Sequence, residues 1–171
     1  MSGKCTRIMG FTLIELMIAI SVMVILIFSG VPSFIQFLRD SSTAAHTNSM
    51  VSAINLARTE AVRRGAEVRL TAQSDVNGVL SWNNGWVVWV DSDEDYIASE
   101  SEVIRYFSDV TSGANFSSAS NEIIFNSQGE LDGVNSYVIT FTPDGCHKNE
   151  RRVITISNTG RPATSKVDCS L

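Results

Sequence analysis

The chain has 171 residues, 44% hydrophobic and 18% charged, enough for one modest domain plus an extended element and too few for two full cores. Thirteen Lys and Arg against 18 Asp and Glu leave a net charge of −5, so the molecule lacks the basic excess of a general nucleic-acid binder and any polyanion site must be local. The mean hydropathy of +0.10 is unevenly spread: Phe11 to Leu38 is almost wholly apolar, and the remainder reads as an ordinary polar globular sequence.

Residues 1–10 carry Lys4 and Arg7 and no acid, and the apolar run begins directly after Gly10. Positive charge is thereby held on the cytoplasmic side. The 21 residues from Phe11 to Val31 would be roughly 31 Å long as a helix, which matches a hydrocarbon core of about 30 Å. A secretory signal peptide places small residues after its apolar region, whereas here Gly10 precedes it and Ser29-Gly30 is a weak match. A plain single-pass anchor explains length and charge but leaves Glu15 unexplained, because a carboxylate among the first turns of a membrane helix needs a partner.

Gly10-Phe11-Thr12-Leu13-Ile14-Glu15, followed by the long apolar stretch, resembles the class III signal of type IV pilins and type II secretion pseudopilins. The resemblance implies a prepilin peptidase that cuts between Gly10 and Phe11 and methylates the new amine of Phe11. It also implies that Glu15 pairs with the amino-terminal charge of a neighbouring subunit during assembly. A carboxylate costly in lipid becomes favourable once an ammonium group reaches it in low dielectric.

Beyond Pro32, Met50, Ile54, Ala57 and Ala61 recur at helical spacing, with Asn48, Ser52, Asn55 and Thr59 between them. Glu60 and Arg64 form an i,i+4 pair, and Gly65 is a C-terminal stop. The pattern predicts one helix from about Phe11 to Arg63. Pro32, beside Gly30, is expected to kink it or melt a turn, or else simply to mark the end of the membrane segment. After Gly65 the period falls to two. Strands are expected over Glu67 to Ala72, Gly85 to Asp91, Val103 to Phe107, Glu122 to Phe125, Tyr137 to Phe141 and Val153 to Ser157, and a flexible loop over Ser112 to Ser120. The fold class is therefore α+β: a leader (1–10), a transmembrane and polymerisation helix (11–38), its amphipathic continuation (39–65) and a mostly antiparallel β head (66–171). Trp86 and Trp89 fall on opposite faces of one strand, as packing residues.

The Gly85 to Asp91 strand, the Ile156-Ser157-Asn158-Thr159-Gly160-Arg161 ending and the Leu56 to Arg64 helix end resemble the minor-pilin branch that unites FimT- and FimU-like type IV pilus proteins with the GspH pseudopilin. In FimT relatives that bind DNA, a Gly-Arg-x-Arg motif contributes; here it reads Gly160-Arg161-Pro162-Ala163, without the second arginine.

Of three cysteines, Cys5 falls in the leader, leaving Cys146 and Cys169 for one disulfide in a head outside the cytoplasm. No CxxC and only His46 and His147 are present, so no metal or redox pair and no cofactor is expected, and both histidines read as surface residues. Asp91, Asp93, Asp95 and Glu102 have the spacing of a calcium loop, but Tyr96 stands where that loop needs glycine, and a solvated acidic turn is the expectation. Lys148, Arg151, Arg152, Arg161 and Lys166 crowd the disulfide-closed end and could meet the phosphates of double-stranded DNA; ordinary surface charge, partly neutralised by Asp144, Glu150 and Asp168, is the expectation.

No catalytic triad, Walker loop or dinucleotide fingerprint is present, so an enzyme is not expected. The expected function is a minor pilin that assembles into or primes a type IV pilus, with its tip as one position. A DNA-uptake pilin and a GspH-like pseudopilin of type II secretion are the alternatives. The expected partners are prepilin peptidase, other pilins, the inner membrane and, for the DNA reading, a duplex. The chain would sit in the inner membrane with a periplasmic head before assembly and on the pilus surface afterwards.

Overall fold

The computed structural model describes residues 11–92, 95–110, 114–146 and 150–169, without the side chains of residues 30, 32 and 33. Gly10, Cys5, Asp93, His147 and Lys148 lie outside the described residues, as does the ring of Pro32. Helix α1 runs from Leu13 to Arg64. The chain divides into two compact units between Arg39 and Asp40.

In the first unit the described side chains of residues 11–29, 31 and 34–39 are all exposed. A helix that is apolar on every side and unburied needs lipid or neighbouring protein around it. The helix is assigned without a break through residues 30–33, so Pro32 does not end it.

In the second unit α1 contributes a one-sided stripe. Met50, Ile54, Ala57 and Ala61 are fully buried, whereas Asn48, Ser52, Asn55 and Thr59 are exposed, as the periodicity predicts. Thr43 and Thr47 extend the stripe; the Thr47 hydroxyl donates to the Thr43 carbonyl at 2.7 Å, which lets a polar side chain be buried. Gly65 ends the helix with φ +63°, and the Ala66 amide reaches back to the Ala61 carbonyl at 3.3 Å. That left-handed glycine cap satisfies a carbonyl the helix cannot.

Eight strands follow: β1 (Val68–Ser74), β2 (Leu80–Trp89), β3 (Val103–Phe107), β4 (Ala114–Ser118), β5 (Glu122–Phe125), β6 (Ser136–Pro143), β7 (Arg151–Ser157) and β8 (Pro162–Val167). They make two four-stranded antiparallel sheets, ordered β3-β2-β1-β5 and β4-β6-β7-β8. The helical stripe and the inner faces of both sheets share one core, in which Trp86 stacks on Phe107 and meets Phe116 edge-on.

Three sequence expectations are corrected. The serine-rich segment is not a loop throughout: residues 114–118 form β4, because Phe116 points into the core and Asn83 accepts its amide at 2.7 Å while donating to Asn115 at 2.8 Å. His46 is half-buried, with its ring 5.9 Å from that of Phe141, instead of lying free on the surface. The acidic turn is not simply solvated, since Glu102 is only 5% exposed.

Candidate functional site

At the start of α1, the Glu15 amide donates to Thr12 Oγ1 at 3.3 Å and the Leu16 amide to the Thr12 carbonyl at 3.2 Å. Thr12 is the N-cap and Glu15 the third helical residue, the Thr-x-x-Glu arrangement of a capping box. A carboxylate here also faces the positive end of the helix dipole. The helix is thus nucleated two residues after Phe11, which is itself exposed.

At the other end of the chain, Cys146 and Cys169 are joined by a disulfide with Cα atoms 5.8 Å apart, tying the segment after β8 to the end of β6. Arg151 donates to the Cys169 carbonyl at 3.2 Å. The basic residues do not converge. Arg152 lies opposite Lys166 across β7 and β8, Arg151 falls on the other face, and Arg161 stands at the turn of the hairpin, roughly 17 Å from Lys166 at the strand rise.

Sequence reasoning missed an interlock between α1 and two loops of the head. Arg58 Nε donates to the Gly129 and Thr159 carbonyls, both at 3.2 Å. Gly160, at φ +72°, lies so close that a Cβ there would sit 2.2 Å from the Gly129 oxygen. The Leu131 amide meets the Asn158 carbonyl at 2.8 Å. The glycine of the Asn158-Thr159-Gly160-Arg161 motif is therefore demanded by a backbone-to-backbone approach.

A second missed centre lies on the outer face of the first sheet. The Arg69 guanidinium is 2.6 Å from Glu67, 3.1 Å from Glu122 and 3.9 Å from Asp91. It stacks on Tyr96 at 4.8 Å and on Trp89 at 5.7 Å. Burial pulls the Arg69 pKa down, but the hydrogen bond and charge of Glu122, with Glu67 and Asp91, outweigh it and the net shift is upward. Trp89 faces outward and Trp86 inward, and the outward indole donates to Thr71 Oγ1 at 2.9 Å.

The same centre explains the calcium-like spacing. Both Glu102 oxygens accept backbone amides, from Ser92 at 2.7 Å and Ser99 at 3.2 Å, and Asp91 accepts the Tyr96 amide at 3.2 Å. Tyr96 adopts φ +62°, the conformation for which the loop would otherwise use glycine. Arg69 stands beside Asp91 as a cation, and among the described residues, which leave out Asp93, no group of three metal-ligating side chains is assembled.

Against this geometry, a profile of the type II transport protein GspH matches residues 46–160. The type IV minor pilin FimU of Pseudomonas aeruginosa PAO1 superposes in two crystal forms. One has TM-score 0.60 and 17% identity over 74% of this chain and 90% of that one. The other has TM-score 0.57 and 18% identity over 71% and 91%. The minor pseudopilin EpsH of the Vibrio cholerae type 2 secretion system gives TM-score 0.46 and 13% identity over 75% and 94%. No curated protein matches in sequence.

Proposed function

This chain belongs to the type II transport protein GspH family, and from that premise we propose that it is a minor pilin that primes or caps a type IV pilus. Membership makes it a minor pilin or pseudopilin, a structural subunit. The observation that carries assembly into a filament, of either system, is Glu15, in the capping box of a helix whose described apolar side chains up to Leu38 are all exposed. Such a helix resides in the inner membrane until other subunits replace lipid around it. Cleavage between Gly10 and Phe11 by prepilin peptidase, with methylation of Phe11, would leave an ammonium group beside the cap of each subunit. Glu15 of one copy would then meet the amine of its neighbour, and a bend at Pro32 would accommodate packing in the filament. The disulfide suits a head that folds outside the cytoplasm.

Two measurements test this. Mass spectrometry of membrane-extracted protein should find a chain beginning at methylated Phe11; an intact Met1 in cells with active peptidase overturns the processing step. Deletion of the gene should reduce surface piliation, and Glu15→Val should give a processed subunit absent from sheared pili. Intact pili with failed protein export would assign the chain to type II secretion instead. A DNA-uptake role has the Arg152 and Lys166 pairing in its favour and the distance of Arg161 against it; a head that leaves duplex DNA unshifted at low salt removes it.

A further inference from the structure

The pairing register lays four side chains in one row across the outer face of the first sheet: Glu122 of β5, Thr71 of β1, Val87 of β2 and Tyr106 of β3. Three interstrand spacings make that row roughly 14 Å long. All four line a groove of about 640 Å³, together with Ile97 from the loop between β2 and β3. A second groove, which carries Asp75 and Asp109, adjoins it through Gln73, Ser74 and Tyr106. Tyr106 is 58% exposed and Ile97 66%.

The hydrogen-bonding capacity of the first groove is one-sided. The Trp89 indole is spent on Thr71 Oγ1, the Thr71 hydroxyl on Glu122 Oε1 and the Ser120 hydroxyl on the Glu122 carbonyl. Gln73 Nε2 donates to the Trp86 and Phe107 carbonyls at 3.3 and 3.4 Å, which leaves the amide oxygen as its open end. Arg69 takes the same Oε1 of Glu122, at 3.1 Å, so that Oε2 of this partly exposed side chain accepts no bond among the described residues. Side-chain donors remain, among the described lining residues, only on Ser74, Asn121 and the tyrosines.

Charge points the same way. Tyrosines aside, the ionisable side chains lining the two grooves are Glu122, Asp75 and Asp109. Asp75 is held anionic by the Val79 and Asn77 amides, both at 2.8 Å. Arg69 is outnumbered by Glu67, Asp91 and Glu122, and Arg105 falls on the opposite face of β3, in register with the buried Val88. An anion would be repelled here, and a neutral saccharide would find acceptors but few donors. A guanidinium brings donors only, with a positive charge. Arg69 already shows the match, paired with Glu122 and stacked on Tyr96 at 4.8 Å.

We propose that the groove receives an extended basic segment of a partner protein, with an arginine on Glu122 Oε2, an apolar side chain over Val87 against Ile97 and Tyr106, and a second base toward Asp109 and Asp75. Alternate residues of an extended chain share a face, and positions one and five stand roughly 13 Å apart, close to the length of the row. The Gln73 oxygen is open to an amide of the segment. The site lies wholly in the head and does not depend on which filament the chain enters.

The head, residues 40–171, carries its own core of α1 and both sheets and is the unit to test. The probe is the peptide acetyl-Arg-Ala-Leu-Ala-Lys-amide, titrated into isotope-labelled head at about 20 mM salt. Saturable shifts are expected at the Gln73 amide, the Trp89 indole and the Tyr106 ring, with binding at least about threefold weaker at about 300 mM salt. Replacing the peptide's arginine with citrulline, its neutral isostere, should weaken binding about tenfold. Glu122→Gln should do likewise; because it also touches Arg69, Asn121→Asp is the companion variant, which adds a carboxylate at the exposed rim and should tighten binding about twofold. No saturable shift up to about 10 mM peptide overturns the proposal. Equal binding of the citrulline peptide, or an Asn121→Asp head that binds no tighter, overturns it too. The same shifts produced by maltose would make the groove a saccharide site, and the same shifts on concentrating the head alone would give it to a second copy; either result overturns the basic segment as occupant.

Discussion

Gly160→Ala probes the interlock between helix and head most directly. A non-glycine residue at φ +72° costs about 1 kcal/mol. The added Cβ would stand 2.2 Å from the Gly129 carbonyl oxygen and 3.0 Å from Arg58 Cδ. The side chain can yield, but the carbonyl belongs to a loop whose Gly129 is itself at φ +76° beneath Val62. Reaching ordinary contact requires about 1 Å of backbone movement, enough to break the two hydrogen bonds from Arg58, each worth about 1–1.5 kcal/mol. The expected total is about 3–4 kcal/mol. Gly133→Ala is the control: its φ is +71° and nothing lies within 4 Å of the added atom, so only about 1 kcal/mol is due. Urea unfolding of the head, followed by tryptophan fluorescence, should therefore separate the two midpoints by about 1 M or more. Adding Arg58→Ala to Gly160→Ala should reduce the glycine's cost by about 2–3 kcal/mol, because the bonds it breaks are already gone. Equal losses for Gly160→Ala and Gly133→Ala would refute the interlock.

Removing the disulfide with Cys146→Ser and Cys169→Ser should lower head stability by about 3.5 kcal/mol in the chain-entropy model for a sequence separation of 23, measured by the same unfolding curves. Arg69→Leu should cost about 3–5 kcal/mol at neutral pH, because Asp91, 6% exposed at its side chain, loses its cation; a loss below about 1 kcal/mol in the same unfolding curves would refute the pairing. Glu60 is held at a pKa of about 2 by hydrogen bonds from Arg63 and Arg64. Its folded pKa is depressed, so its contribution is complete above the ordinary glutamate pKa of 4.5 and fades as pH falls toward 2. On a mostly exposed helix end this is worth about 0.5 kcal/mol, and Glu60→Gln should remove that increment at pH 7 but not at pH 2.

The elements visible in the sequence are those buried on one side. Met50, Ile54, Ala57 and Ala61 had to repeat helically because only one face of α1 meets the head core, and the six expected strands each carry inward apolar residues. What escaped notice is polar or small. β8 is exposed through its middle and opens with Pro162, β4 has Phe116 as its one large inward residue, and the first half of β2 is Leu80-Ser81-Trp82-Asn83-Asn84, where alternation is weak. Their backbones are ordered by the neighbouring strand, and edge pairing leaves little hydrophobic period to read.

The same physics divides the functional features. The expectation for Glu15 can be formed from the sequence because an ionisable group inside an apolar run is anomalous on its own terms and calls for a partner, whatever the rest of the chain does. Arg58 and Arg69 carry no such mark. One is explained by carbonyls 71 and 101 residues away, the other by a carboxylate 53 residues away. An arginine in an amphipathic helix or on a strand reads as surface charge until those partners arrive. Gly160 is the more telling case: its position before Arg161 suggests a basic motif, yet the close approach of Gly129 assigns the glycine to the junction with Arg58 and leaves Arg161 as an exposed neighbour. A Gly-Arg pair in this turn can therefore persist for packing reasons in a chain that never meets nucleic acid, so DNA binding has to be argued from Arg161, Arg152 and Lys166 as charges in space and not from the dipeptide.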